Sequence, residues 1–88
     1  MKVEFLEKFN KDLDSVKDQK VKIALQKVIL KLETAESLSE IHNLKKLKGH
    51  PIAWRIRIGD YRLGLFAENQ VLELARFVHR KGIYKVFP

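Results

Sequence analysis

Cysteine is absent from this 88-residue chain, which excludes disulfides and every metal site built on thiolates. Histidine occurs only at positions 42, 50 and 79, too few for a zinc site made of spaced pairs. Both prolines and all four glycines fall within residues 49–88, so nothing interrupts a helix in the first half. No apolar run is long enough to span a bilayer, and the N-terminus carries no signal-like hydrophobic stretch. What remains is an ordinary globular balance, 45% hydrophobic and 33% charged, unlike that of a disordered chain. The expectation is one soluble, cytoplasmic domain over residues 1–88, with no membrane association and no cofactor.

Charge is unevenly placed. Residues 1–44 hold eight lysines and eight carboxylates, which cancel. Residues 45–88 hold five lysines, five arginines and three carboxylates, which supplies the whole net charge of +7. The arginines at 55, 57, 62, 76 and 80 lie in one short stretch. Arginine offers a rigid fork of donors that fits phosphate oxygens, so an arginine-bearing half suggests a polyanionic partner. A merely solubilising basic surface would carry the same count.

The hydrophobic period changes partway along the chain. Met1–Phe5 alternates like a short strand. Phe5, Phe9, Leu13 and Val16 then recur at helical spacing. Asp18 reads as the N-cap of a second helix, whose stripe runs from Val21 through Leu25, Val28 and Leu32 to Leu38. Leu38, Ile41, Leu44 and Leu47 predict a loose turn or short helix up to Gly49, stopped by Pro51. Beyond it the period is two. Ile52–Ile58 and Tyr61–Ala67 flank a Gly59-Asp60 hairpin turn. A second turn is expected at Glu68-Asn69, then a strand from Gln70 to about Val78 and an extended piece over Ile83–Phe87. The predicted fold class is α+β: a short N-terminal strand, a two-helix hairpin, then an antiparallel β-meander with one face covered by the helices.

The turn at Gly59-Asp60 sets the hairpin register, and register decides which side chains share a face. It places Trp54, Ile56, Ile58, Tyr61, Leu63 and Leu65 on the core side, with Trp54 as packing rather than base stacking. Arg55, Arg57 and Arg62 fall on the other face around Gly64. Arg57 directly opposes Arg62, and like charges so placed are destabilising. An anion between them would remove the repulsion. With the second turn at Glu68-Asn69, Gly64 meets Glu73, which could hold Arg55 or Arg62, while Phe66 and Phe77 share the arginine face. Strict alternation puts Arg80 on the core side, which an unpaired arginine cannot occupy. A bulge or strand end near His79 is therefore expected to turn Arg80 toward the basic surface, with Gly82 bringing Tyr84 beneath it. Arg76, opposite Tyr61, reads as a partly buried ion-pair partner. His42 and His50 read as surface residues.

Leu47-Lys48-Gly49, Trp54-Arg55-Ile56-Arg57-Ile58-Gly59-Asp60-Tyr61-Arg62-Leu63 and His79-Arg80-Lys81-Gly82-Ile83-Tyr84, in that order, resemble the RelE/ParE superfamily of toxin–antitoxin toxins, the RelE-like branch above all. The resemblance covers essentially the whole chain and implies the RelE-like microbial RNase fold. It also implies a ribosome-dependent, metal-independent mRNA endoribonuclease cutting in the A site by 2′-hydroxyl attack, with a cognate antitoxin, the ribosome and mRNA as partners. On that resemblance Arg55, Arg57, Arg62, Arg80 and Tyr84 occupy the catalytic positions. Lys45, Lys46 and Lys48 would attract ribosomal RNA. The hairpin pair is lysine in the best-known relatives, where one lysine is a proposed base. Arginine is a poor proton acceptor, so His79 becomes a candidate base, with Tyr84 and Glu73 as rivals. Two other readings share the fold: a ParE-like inhibitor that binds DNA gyrase without chemistry, and a degenerate toxin surviving only as a corepressor.

Overall fold

A computed structural model describes residues 1–88. Its elements are β1 (Lys2–Phe5), α1 (Glu7–Ser15), α2 (Gln19–Thr34), a 3-10 turn (Leu38–Glu40), β2 (Leu44–Lys46), β3 (Ala53–Ile58), β4 (Tyr61–Glu68), β5 (Val71–His79) and the helical turn α3 (Ile83–Val86). The strand, helical hairpin and meander follow the predicted α+β order. The five strands form one sheet in the order β1-β5-β4-β3-β2, with β1 parallel to β5 and every other pair antiparallel.

The helices sit where their stripes and caps require. Asp18 accepts a hydrogen bond from Lys20 N at 2.9 Å and starts α2. Phe5 stays in β1 rather than opening α1, because Leu6 N still donates to Leu74 O and prolongs the ladder by one step. Phe9, Leu25, Leu32, Ile56, Leu63, Leu65, Leu72, Leu74 and Phe77 are essentially fully buried between the helices and one sheet face. Burial of each such side chain stabilises the fold by about 1.5–3 kcal/mol.

Four expectations are corrected. Residues 38–49 do not run on as a loose turn or short helix. The Glu40 carboxylate accepts from Glu36 N and Ser37 N and closes the 3-10 turn, after which Leu44–Lys46 pairs with Trp54–Ile56 as an edge strand. The second hairpin turn is Asn69-Gln70, not Glu68-Asn69. Both residues hold positive φ (53° and 66°), the geometry a two-residue turn between twisted strands demands. Ile83–Phe87 is not extended: Ile83 and Phe87, four residues apart, are both buried and close one helical turn through Phe87 N to Ile83 O.

The fourth correction concerns β5. The displaced turn pairs Leu65 with Leu74 and Phe66 with Glu73, while Gly64 pairs with Arg76, leaving Ala75 as an extra residue. This bulge reverses parity downstream. Phe77 therefore enters the core instead of joining the arginine face, and stacks on Tyr61 with centroids 5.1 Å apart. Arg76 opposes Gly64, and its predicted ion pair forms with Asp12 of α1 at 2.7 Å. The same Asp12 carboxylate accepts from Phe77 N, which closes the part of the β5 edge that β1 is too short to cover. Of the two alternatives expected near His79, the strand's end is there, at His79 itself, while the bulge lies four residues earlier. Arg80 follows the strand and is exposed.

Candidate active site

The second sheet face divides into an apolar part and a basic part. Ala53, Ala75, Leu47, Ile83 and Phe87 form the apolar part. Phe87 lies over Gly64 so closely that a Cβ there would sit 2.7 Å from its ring. Ile83 and Phe87 thus anchor α3 to the sheet, and Tyr84 between them faces out, 64% exposed. Its hydroxyl oxygen accepts a 2.8 Å hydrogen bond from Arg55 Nε. Tyr84 is joined to the arginine face rather than packed in the core.

The hairpin turn supplies the remaining order. Arg62 donates through one terminal nitrogen to the carbonyls of Gly59 and Tyr61, both at 2.9 Å. The adjacent Asp60 carbonyl accepts from Arg80 N at 2.8 Å. One turn therefore holds the Arg62 side chain and the Arg80 backbone side by side. Partial burial lowers the pKa of Arg62, and the positive charges of Arg55, Arg57 and Arg80 lower it further. Tyr84 acts in the opposite direction. The ion pairs in the molecule are Lys11–Glu7 and Arg76–Asp12, so no carboxylate neutralises Arg55, Arg57, Arg62 or Arg80. Arg55, Arg57 and Arg80 thus act on the half-buried Arg62 with donors left free, an arrangement chemically able to hold an anion.

The other expected site residues are sorted by the pleat. Lys45 opposes Arg55 on β2, and with Arg57 they line a groove of ≈ 290 Å³. Lys46 opposes Trp54 on the other face, its Nζ 5.8 Å from the centroid of the half-buried indole. Lys48 sits in the loop between β2 and β3, beside Gly49 and His50. His79 pairs with Tyr61, stacks edge-on against its ring at 5.8 Å and accepts from Lys81 N, which sets it on the Tyr61 side of the sheet. Glu73 faces Phe66 beyond the bulge and pairs with no arginine. Asp12 and the Gly59 and Asp60 carbonyls are not among the residues expected from the sequence. Only Asp12 left a signal, as an acid beside Phe9, Leu13 and Val16 on the apolar stripe of α1.

No protein-family model matches the chain. It is 35% identical to Toxin RelE3 of Methanocaldococcus jannaschii over 89 aligned positions covering 100% of both chains. Its fold superimposes on the RelB-RelE antitoxin-toxin complex from Methanococcus jannaschii with a TM-score of 0.83 and 32% identity, covering 97% of this chain and 99% of that one. The archaeal RelE-RelB complex from Pyrococcus horikoshii shares the fold at a TM-score of 0.72 and 22% identity, over 90% and 93% of the two chains. By its identity to that relative over the full length of both, this chain belongs to the RelE family of toxins.

Proposed function

We propose that this chain is the toxin of a type II toxin–antitoxin pair and cleaves mRNA in the ribosomal A site. The observation that carries the reading is the set of Arg55, Arg57 and Arg80 around Arg62, unneutralised by any carboxylate and tied to Tyr84 through Arg55. In the proposed reaction the 2′-hydroxyl oxygen bonds to the adjoining phosphorus and the bond from phosphorus to the 5′ oxygen breaks. A 2′,3′-cyclic phosphate and a free 5′-hydroxyl result. Negative charge gathers on the five-coordinate phosphorus, and preorganised guanidinium groups stabilise it there. Arg62 is the centre of that clamp, because two backbone carbonyls already fix it.

One proton must leave the 2′ oxygen, passing to solvent water at this exposed face, and one must reach the 5′ oxygen. Tyr84 is the proton-carrying side chain bonded into the arginine cluster, and because its oxygen accepts from Arg55, its own proton is free for the leaving oxygen. His79 and Glu73, set apart from the cluster, fall outside the proposed set. Lys45, Lys46 and Lys48 add salt-dependent attraction to RNA. The relatives solved as antitoxin complexes support a cognate antitoxin partner for this cytoplasmic toxin.

Inducible expression with transcript-end mapping tests the reading. Codon-phased cuts bearing 2′,3′-cyclic ends, lost in Arg62→Ala, are expected. Intact transcripts during growth arrest would refute it, and inhibited gyrase supercoiling would support a ParE-like activity instead.

A further inference from the structure

The basic surface continues past Arg57. Between α2 and the start of β2 lies a cleft of ≈ 220 Å³ whose apolar floor is Val28, Ile41 and Ile56. Its rim carries Lys27, Lys31, His42 and Arg57, and no carboxylate lines it. Neither lysine is in an ion pair. Asn43 holds a left-handed φ of 62° and accepts from Arg57 N at 3.2 Å, which fixes the cleft to the hairpin. Asn43 and Arg57 also line the groove that holds Lys45 and Arg55. The two cavities therefore share Asn43 and Arg57, where the arginine face meets the helix side of the sheet.

We infer that this cleft is a second nucleotide subsite for the RNA strand gripped at the arginine cluster. The inference rests on the nuclease reading for the identity of the strand. A nucleotide combines a flat apolar base with charged phosphates, and the cleft combines an apolar floor with cations at its rim. Its volume lies below the roughly 300 Å³ at which pockets for drug-sized ligands begin, the scale of one base. The half-buried Val28 and Ile41, seated over the buried Ile56, receive the base. Lys27, Lys31 and Arg57 meet its flanking phosphates, and the exposed His42 ring stands where an unstacked base would leave the floor. An acidic protein segment without apolar side chains would satisfy the lysines but leave the apolar floor uncovered, and binding of the cognate antitoxin is therefore measured alongside RNA.

The test is direct binding of fluorescent 2′-O-methyl oligonucleotides, which lack the attacking hydroxyl, so its outcome does not depend on cleavage. A dinucleotide probes the arginine cluster alone, and an octamer reaches the cleft. The double variant Lys27→Ala/Lys31→Ala changes two exposed side chains and should keep the wild-type circular dichroism. It should weaken octamer binding about tenfold and reduce the salt slope by about 1.4, roughly 0.7 per lost phosphate contact. Dinucleotide binding should stay unchanged. Ile41→Ser should weaken the octamer with the slope intact, since an apolar contact releases no counterions. Unchanged octamer affinity in the double variant, or equal losses for both probes, would overturn the proposal. So would unchanged RNA binding with weakened binding of the cognate antitoxin, which would make the cleft a protein-docking site.

Discussion

Arg57 and Arg62 face each other directly across the β3–β4 hairpin, and neither has a carboxylate partner. Opposed like charges weaken a strand pair by about 0.2–1 kcal/mol. Arg57 is exposed and makes no side-chain hydrogen bond within the protein, so its replacement removes little else. Arg57→Thr should raise the melting temperature by a few degrees, because 1 kcal/mol corresponds to roughly 4–8 °C in a domain this small. Cleavage should fall by about 10²–10³, the usual cost of one donor to a transition-state anion. Calorimetry and a cleavage assay on programmed ribosomes check both. A variant less stable than wild type would contradict the repulsion.

The Tyr84 ring is exposed, so removing its hydroxyl leaves the core untouched. Tyr84→Phe should keep the wild-type melting temperature and lose about 10²–10⁴ in single-turnover cleavage, the range for a general acid or base. His79→Ala should lose far less. A larger loss in His79→Ala would restore the imidazole as the proton carrier.

Gly64 has no room for a side chain, because a Cβ would meet three atoms of the Phe87 ring at 2.7–3.0 Å. Gly64→Ala should therefore cost about 1–3 kcal/mol through overpacking. Phe87→Leu in the same chain should recover part of that loss. Urea unfolding of the single and double variants measures the coupling. Additive losses would show that the ring is not what excludes the methyl group.

Asp12 binds Arg76 at 2.7 and 3.0 Å and Phe77 N at 2.9 Å. The hydrogen bond to Asp12 is the main reason the Arg76 pKa is raised above the ordinary arginine value. A raised pKa in the folded state means stability that is fully present below the ordinary arginine pKa and is lost only in strong alkali. Asp12→Ala strands a partly buried guanidinium and should destabilise by about 2–4 kcal/mol, evenly across the neutral range. Denaturant unfolding at several pH values checks the size and the flatness.

The β3–β4 hairpin was legible because a two-residue turn converts alternation directly into register, and every predicted pair from Trp54–Leu65 to Ile58–Tyr61 is present. The β4–β5 register was not. Asn69-Gln70 is not the strongest turn signal, and the extra residue at Ala75 has no mark in an apolar run. Arg80 nevertheless announced the parity change, because an arginine that alternation sends to the core must be turned out. The site's supports were less visible. Backbone carbonyls, such as those of Gly59 and Asp60, carry no sequence signature. The exposed position of Tyr84 depends on Ile83 and Phe87 closing a helical turn where alternation suggested a strand.

A double-mutant cycle on Arg62 and Arg80 asks most directly whether the guanidinium groups grip one phosphodiester. Single-turnover cleavage of mRNA on programmed ribosomes would be measured for Arg62→Ala, Arg80→Ala and the pair. Groups acting on the same phosphate are strongly non-additive. Each single variant should lose about 10²–10³, and the double variant little more than the worse single one. Near-wild-type rates in either single variant, or losses that simply multiply, would contradict a shared phosphate.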